Sequence, residues 1–246
     1  MEIEILFHYF IKYLVMRKLL LLVICFFLTG CVYLIPYRSI KKGFDCYEGK
    51  STNLHSLINI QGYYYYNDVE KYGNKTFEQQ NVIIFFEDGT WCFTVGDYRW
   101  LTGENGKKSI NTFFKKVVDE PNSKCAKYFY GIRNWWGIYT IREDTIIAQE
   151  TSNTSTFTPV FDSFVKMFKI VDCNTLIELY FSSIGDNFPT MVISEKNENS
   201  FEKNKKYHFI PTDTLPSSNN LWLKKKKWFW CNEEDWKDYM KKIKQK

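Results

Sequence analysis

The chain is poor in residues that interrupt regular structure: only 12 of its 246 residues are glycine and 6 are proline. A collagen-like chain and a Gly/Pro-rich disordered polymer are therefore excluded. The excess of one charge is also small, because 33 basic residues face 28 acidic ones, for a net charge of +5. That excess is too small for a protein dedicated to nucleic-acid binding.

Histidine is scarce as well, with three in the whole chain. Neither His55 nor His208 belongs to an HExxH, HxxxH or HxH pattern, and no G-x-S-x-G elbow, P-loop or dinucleotide fingerprint occurs. Several carboxylates fall in predicted turns, where aspartate is favoured for its local hydrogen bonds. They are Glu87, Asp88, Glu143 and Asp144. We therefore predict a protein that is not an enzyme and that has no metal or cofactor.

The most specific motif lies near the N-terminus. The basic start Met16-Arg17-Lys18 is followed by the apolar run Leu19–Leu28 and then by Leu28-Thr29-Gly30-Cys31. This arrangement is typical of a secretory signal, so we assign residues 1–30 to a signal peptide. Because residues 1–15 make an overlong start, we predict that translation begins at Met16. The alternative is an uncleaved membrane helix over Leu19–Ile35, which is at the short end of the spanning range.

The four residues Leu28-Thr29-Gly30-Cys31, which span the end of this signal, resemble the lipobox of bacterial lipoproteins. The resemblance implies cleavage after Gly30, a diacylglycerol on Cys31 and a protein anchored to a membrane of the cell envelope. Lipoproteins exported to the cell surface carry acidic residues after the modified cysteine, whereas this chain has Val32-Tyr33-Leu34-Ile35. That difference implies a location facing the periplasm.

Five cysteines remain after the signal and the lipidated residue. They are Cys46, Cys92, Cys125, Cys173 and Cys231. The number is odd, so at most two disulfides form within one chain. No CxxC pair is present, which argues against a zinc ribbon or a thioredoxin-type site. Export permits disulfides, but buried thiols explain the cysteines equally well, and the pairing stays open.

Residues 31–45 form a short tether, and the domain that follows, 46–246, is β-like. Aromatic residues are abundant, with 21 Phe, 17 Tyr and 8 Trp. Asp88-Gly89 separates two apolar runs, which is the strongest short-range hairpin signal. Further hairpins are predicted around residues 142–144 and 172–174. Shorter strands are expected at 206–210 and 221–223, with 228–230 possible as a continuation of the second. Consecutive hairpins predict an all-β, antiparallel up-and-down meander that closes into a barrel.

Two helices accompany the predicted meander. Ser109–Val118 has apolar residues at helical spacing and is inserted between strands. Residues 232–244 form a C-terminal amphipathic helix, with Asn232 as the N-cap and lysines in the last turn.

The domain resembles the lipocalin-like meanders of uncharacterised envelope lipoproteins. The resemblance rests on Gly62-Tyr63-Tyr64-Tyr65, on Trp136-Gly137-Ile138-Tyr139-Thr140-Ile141 and on Asp144-Thr145-Ile146-Ile147. The barrel of such a fold is either filled by side chains or holds one small ligand. Six aromatic residues are candidates for lining that interior and binding an apolar or glycan ligand, or else for filling it. They are Tyr64, Tyr66, Trp91, Phe93, Trp136 and Tyr139.

Basic and aromatic residues adjoin near the C-terminus. From Lys224 to Lys246 there are nine lysines against four acidic residues. The candidates for contact with a membrane or a partner are Lys224, Lys225, Lys226, Lys227, Trp228 and Trp230. The alternative is a solvated charged edge whose tryptophans dock the final helix.

These patterns predict a non-catalytic, lipid-anchored envelope protein that binds a small ligand, or a partner protein, through a barrel. The alternative is a structural or assembly lipoprotein that uses the C-terminal lysines and tryptophans for contact. Nucleic acid is not expected as a partner.

Overall fold

The protein is described from a computed structural model that covers residues 13, 16–20, 44–50, 53–72, 75–96, 102–103, 106–131, 134–153, 161–184 and 205–245. Cys31, the predicted cleavage site and the tether up to residue 43 lie outside the described residues. Among the described residues, no helix has both the length and the apolar character needed to cross a membrane.

Eight antiparallel strands follow one another around a closed barrel in sequence order. They are β1 (Gly62–Tyr72), β2 (Lys75–Phe85), β3 (Thr90–Gly96), β4 (Trp135–Arg142), β5 (Thr145–Asn153), β6 (Phe161–Asp172), β7 (Thr175–Ser183) and β8 (Lys206–Pro211). Pairing of β1 with β8, from Gly62 opposite Pro211 to Tyr65 opposite His208, closes the barrel. The predicted all-β up-and-down barrel is confirmed.

Three tight turns lie at one end of the barrel, which we call the turn end. They connect β2 to β3, β4 to β5 and β6 to β7. Gly89 has a φ of 85° and Glu143 a φ of 55°, so the β2–β3 and β4–β5 turns use the left-handed backbone region. The three predicted hairpins are therefore confirmed.

Alternate residues of the strands point into the barrel and form an inner apolar cluster. Its buried members include Tyr64, Ile83, Phe85, Trp91, Phe93, Tyr139, Ile146, Ala148, Phe168, Leu176 and Tyr207. Leu54 and Ile58 join this cluster from a short 3-10 turn that precedes β1. The Asn59 N–H donates to the Cys173 carbonyl 3.0 Å away, so this turn covers the turn end.

An outer apolar cluster lies on the opposite face of the first four strands. Helix α1 (Gly106–Asp119) and the six-residue helix α2 (Lys124–Phe129) are inserted between β3 and β4 and supply much of it. The helix predicted over Ser109–Val118 is confirmed as part of α1. Helix α2 was not predicted; the Ser123 side chain caps it by accepting from the Ala126 N–H at 3.1 Å.

The segment after β8 packs on the same outer cluster. The strands predicted at 221–223 and 228–230 are wrong, because this segment forms 3-10 turns at Trp222–Lys225 and Lys227–Phe229. Their apolar side chains are buried by packing on the outside of the barrel. The predicted C-terminal helix is confirmed as α3 (Glu233–Lys244), whose Glu234 N–H donates to the Asn232 Oδ1 atom at 2.9 Å.

One disulfide joins the beginning of the described domain to its end. Cys46 and Cys231 are bonded across a sequence separation of 185 residues. Cys92 and Cys125 are buried thiols, and Cys173 is an exposed thiol. Closure of so long a loop restricts the unfolded chain and stabilises the fold by roughly 5 kcal/mol.

Candidate functional site

A charged pair lies inside the barrel, at the level where the apolar packing of the turn end stops. Strand β5 presents Ile146, Ala148 and Glu150 to the interior in alternation, so the third inward position carries a carboxylate. Lys166 on β6 faces it, with its Nζ atom 3.8 Å from Oε1 of Glu150. The glutamate is 0% exposed and the lysine 3% exposed, so both charges are withdrawn from water.

Three aromatic rings surround the Lys166 ammonium. Its Nζ atom lies 3.1 Å from the ring centroid of Phe93, 4.9 Å from that of Phe181 and 5.0 Å from that of Trp135. Strands β3, β4 and β7 supply these rings from inward-facing positions. A cation over aromatic faces is attracted by the ring quadrupoles, more strongly when it is desolvated. We call Phe93, Trp135 and Phe181 the aromatic cage.

A second carboxylate belongs to the same layer. The Tyr207 hydroxyl donates a hydrogen bond of 2.9 Å to the Oε2 atom of Glu178. Burial and the neighbouring Glu178 charge raise the pKa of Tyr207 far above its usual value, so this hydroxyl keeps its proton. Glu178 is half-buried, on the side of the barrel opposite the turn end. The layer formed by Glu150, Lys166, Glu178 and Tyr207 therefore carries two carboxylates and one ammonium.

Glu150 is the most unusual member of this layer. Neither of its carboxylate oxygens receives a hydrogen bond, although the side chain is fully buried. Burial raises the pKa of Glu150 to about 7, against the opposing attraction of Lys166. Burial likewise lowers the pKa of Lys166, against the attraction of the two glutamates. A buried acceptor without a donor is costly and rare in native proteins, which marks Glu150 as a functional candidate.

Beyond this layer several of the described inward-facing side chains are half-buried, among them Tyr66, Trp135, Phe164 and Phe181, and we call this part of the interior the mouth. Trp135, Phe164 and Phe181 form a run of stacked rings there, with centroid separations of 6.3 and 5.3 Å. Tyr66 lies on the opposite side, 5.6 Å from the Tyr207 ring. The mouth thus combines aromatic walls with a polar floor, the composition expected of a small-molecule site.

The half of the interior nearer the turn end is filled by packed rings. Phe85 contacts Trp91, Tyr139 and Phe168 at centroid separations of 6.0, 5.2 and 6.2 Å. Their polar atoms are used within the fold: the Trp91 Nε1–H donates to the Gln149 carbonyl, and the Tyr139 hydroxyl donates to the Phe86 carbonyl. This half is a packed core.

The six aromatic residues predicted to line a cavity therefore separate into four groups. Tyr64, Trp91 and Tyr139 belong to the packed half, and the Tyr64 hydroxyl donates to the Cys173 carbonyl at 2.7 Å. Phe93 belongs to the aromatic cage and Tyr66 to the mouth.

Trp136 is the exception, because it does not face the interior at all. It lies in the outer cluster and its Nε1–H donates to the Phe129 carbonyl at 2.9 Å. The prediction for Trp136 is wrong because a strand alternates its faces: Trp135 and Tyr139 point inward, so Trp136 points outward.

Lys224 is likewise not placed for the contact predicted for it. It is 3% exposed, and its Nζ atom lies 2.5 Å from Asp88 Oδ2 and 3.2 Å from the Ser218 hydroxyl. The prediction that Lys224 contacts a membrane is therefore wrong, because its ammonium is buried and paired with Asp88.

The other members of the C-terminal group are more accessible. Lys225 and Lys227 are exposed and Lys226 is half-buried, and Lys227 pairs with Glu233 at 2.6 Å. Trp228 and Trp230 pack against the outer cluster. The Trp230 Nε1–H donates to the Lys224 carbonyl, and its ring lies 5.4 Å from that of Tyr239 in α3. These two tryptophans thus help to hold the C-terminal segment and its helix in place.

Sequence reasoning missed Glu150, Lys166 and Glu178, because it considered carboxylates only in turns. A usable signal was present: once Ile146 and Ala148 are assigned to the inner face, the two-residue period places Glu150 on it. Among the described residues, no group of three or more His, Cys, Asp or Glu side chains is arranged to hold a metal ion.

Function is inferred from these side chains, since comparison with known proteins supplies no relative. No protein-family model, no curated protein and no solved structure matches the chain.

Proposed function

We propose that this protein is a lipid-anchored, lipocalin-like protein of the bacterial cell envelope that binds a small molecule in the mouth of its barrel. It acts without catalysis. The lipobox-like Leu28-Thr29-Gly30-Cys31 supports the anchor and the export, and the Cys46–Cys231 disulfide is consistent with folding in an oxidising compartment.

One observation carries the binding role: Glu150 is fully buried beneath the mouth and neither of its oxygens receives a hydrogen bond. A purely structural interior would be expected to satisfy or omit such a group. The half-buried rings above Glu150 can stack on an apolar or sugar-like ligand. They belong to Trp135, Phe164 and Phe181.

Native mass spectrometry and a thermal-shift screen test this function. The mature lipoprotein, purified from membranes in a polyoxyethylene detergent, should carry a small molecule or be stabilised by members of a library of aliphatic, aromatic and sugar compounds. Trp135→Leu should weaken the response, while the exposed position Thr140→Ala on the same strand should leave it unchanged. An empty protein that no compound stabilises would contradict the binding role.

The anchor has its own test. Cys31→Ser should abolish the mass added by lipidation and release the protein from the membrane fraction. Unchanged mass and fractionation would show that the N-terminus is not lipidated.

A second function, contact with an anionic membrane or an envelope partner, is favoured by the position of α3. The disulfide fixes Cys231, two residues before α3, to Cys46. Cys46 is 15 residues after Cys31, so α3 lies within about 50 Å of the predicted anchor along an extended tether. Three exposed lysines in its last turns (Lys241, Lys242, Lys244) then attract an anionic surface, each by about 1 kcal/mol.

Sedimentation with phosphatidylglycerol vesicles tests this second role in the Cys31→Ser chain. Exchange of the three lysines for glutamine should reduce the bound fraction, and so should 0.5 M salt. The matched control exchanges Lys115, Lys124 and Lys127, exposed on α1 and α2, and should bind as before. Equal binding by the two triple variants would exclude α3 as the contact surface.

A further inference from the structure

We propose that the mouth binds an organic amine in its ammonium form, which takes the place beside Glu150 that the Lys166 ammonium occupies in the free protein. This inference rests on the small-molecule binding proposed above and names the chemical class of the ligand. The ligand carries at least one N–H on its charged nitrogen and an apolar, ring-bearing body that lies in the mouth.

The first reason is the balance of charge in the polar layer. Glu150 and Glu178 face one internal cation, Lys166. The next charges toward the mouth, Asp68 and Lys205, lie 3.7 Å apart and offset each other. These described residues therefore carry three carboxylates and two ammonium groups, which leaves one negative charge in excess. An anionic ligand would have to approach both glutamates, and a neutral one would leave Glu150 without any cation once Lys166 withdraws, whereas a cationic ligand replaces the charge of Lys166.

The second reason is the unused hydrogen-bonding capacity of Glu150. Both of its oxygens are buried and without a donor. Lys166 Nζ lies 3.8 Å from the nearer oxygen, beyond hydrogen-bonding distance. An ammonium group that donates N–H bonds at shorter range would satisfy this carboxylate. A quaternary ammonium has no N–H and would not, so the carboxylate selects a protonated amine.

The third reason is the aromatic cage. Phe93, Phe181 and Trp135 already surround an ammonium at 3.1 to 5.0 Å. The arrangement is therefore suited to this chemical group, with the ring faces attracting the cation and excluding water. Phe181 and Trp135 are half-buried and belong to the mouth, so a ligand that enters there meets the cage before it meets Glu150.

The Lys166 ammonium can leave the aromatic cage when a ligand enters it. Its ammonium sits at the end of a flexible four-carbon stem. Burial lowers its pKa, so withdrawal from the cage, either toward water or as the neutral amine, relieves a desolvation cost. In the free protein the Lys166 ammonium partly compensates the buried charge of Glu150. The ligand ammonium takes over this role when it binds.

The test compares three probes of one shape: 2-phenylethylamine, 2-phenylethanol and 3-phenylpropionate. Binding to the full-length mature lipoprotein in polyoxyethylene detergent is measured by isothermal titration calorimetry at pH 7.5. We expect the amine to bind at least tenfold more tightly than the alcohol, and the anion to bind most weakly. Equal or tighter binding of the alcohol or the anion overturns the assignment to amines while leaving small-molecule binding intact. If none of the three binds and native mass spectrometry finds the barrel empty, the proposed binding function itself fails.

Variants locate the site. Glu150→Gln should lower the affinity for the amine at least tenfold, and Lys166→Met should raise it several-fold by vacating the cage. Lys169→Met is the matched control, since Lys169 is exposed on the same strand and pairs with Asp144 at 3.9 Å; its affinity should equal that of the wild type. Unchanged affinity in Glu150→Gln would overturn the proposal.

A further variant covers the case in which changes to the buried pair prevent folding. Phe181→Leu removes one half-buried wall of the cage and conserves apolar character. It should lower the affinity for 2-phenylethylamine about fivefold and leave that for 2-phenylethanol within twofold. Parallel loss for both probes, or no loss for the amine, would show that the cage does not recognise the cation.

Discussion

The Lys224 ammonium lies 2.5 Å from a carboxylate oxygen of Asp88, 136 positions earlier in the chain. This ion pair joins the segment after β8 to the β2–β3 turn. Asp88 also accepts hydrogen bonds from the Ser218 hydroxyl and from the N–H and hydroxyl of Thr90. The buried Lys224 ammonium thus attaches the C-terminal segment to the barrel. Its partner Asp88 receives hydrogen bonds from both elements, from Ser218 in the segment and from Thr90 in β3.

Lys224→Met should lower the free energy of unfolding by about 3 kcal/mol, because it leaves the largely buried Asp88 carboxylate without its cation. Urea unfolding at pH 7 measures the loss. Lys225→Met, at the exposed neighbouring position, should change the free energy by less than about 0.5 kcal/mol. Equal effects of the two exchanges would mean that the ion pair contributes nothing specific.

The cost of Lys224→Met should also depend on pH. Burial acts to raise the pKa of Asp88, but the Lys224 charge and the hydrogen bonds from Ser218 and Thr90 outweigh it and hold the pKa below its usual value. A carboxyl group with a depressed folded pKa stabilises the protein above its unfolded pKa, and this contribution is lost as pH falls through the folded pKa. The difference between wild type and variant should therefore be full at pH 7 and shrink below about pH 4. A difference that stays constant down to pH 3 would exclude this linkage.

Removal of the disulfide should destabilise the domain strongly. Cys46→Ser releases a loop of 185 positions, and we expect a loss of about 5 kcal/mol. Thermal unfolding measures it, and reduction of the wild type should reproduce it. Cys173→Ser, which removes an exposed free thiol, is the control and should unfold at the wild-type temperature. A wild type that is insensitive to reductant would contradict the expected contribution.

Gly137 should not accept a side chain. A Cβ atom at this position would overlap the Gln149 carbonyl oxygen on the neighbouring strand, and backbone cannot move aside as a flexible side chain does. We expect Gly137→Ala to unfold the barrel or to lower its stability by more than about 3 kcal/mol. Thr140→Ala, at an exposed position of β4, is the control. Near-native stability of Gly137→Ala in urea unfolding would show that β4 and β5 can separate at this point.

The buried Glu150 should make the protein less stable as pH rises. Its folded pKa of about 7 lies above its unfolded value, so the folded state binds more protons than the unfolded state between about pH 4.5 and 7. The free energy of unfolding should therefore fall through this interval and level off above it. Glu150→Gln should remove this slope, as followed by urea unfolding at pH 5, 6, 7 and 8. A slope that persists in the variant would have to originate from another group.

Local signals made most of the fold predictable. Asp88-Gly89 marks the β2–β3 turn, and the apolar spacing of Ser109–Val118 marks α1, because both patterns depend on neighbours in sequence. The 3-10 turns at Trp222–Lys225 and Lys227–Phe229 were mistaken for strands because aromatic residues favour strands in general. Their burial depends on the outer face of the barrel, which no local pattern reveals.

The candidate site was less predictable than the fold. Alternation along one strand tells which residues share a face, and it would have placed Trp136 outside and Glu150 inside. That Lys166 meets Glu150 and lies among Phe93, Trp135 and Phe181 depends on five strands of the barrel coming together. Such proximity arises only when the meander closes.

The disulfide also determines how the molecule responds to mechanical force. Tension applied between the residues before Cys46 and helix α3 runs through the sulfur bridge and bypasses all eight strands. A cut of the backbone anywhere between the two half-cystines leaves a single covalent molecule until a reductant arrives. A pull between these two points would therefore load the disulfide and leave the hydrogen bonds between the strands of the barrel unstretched.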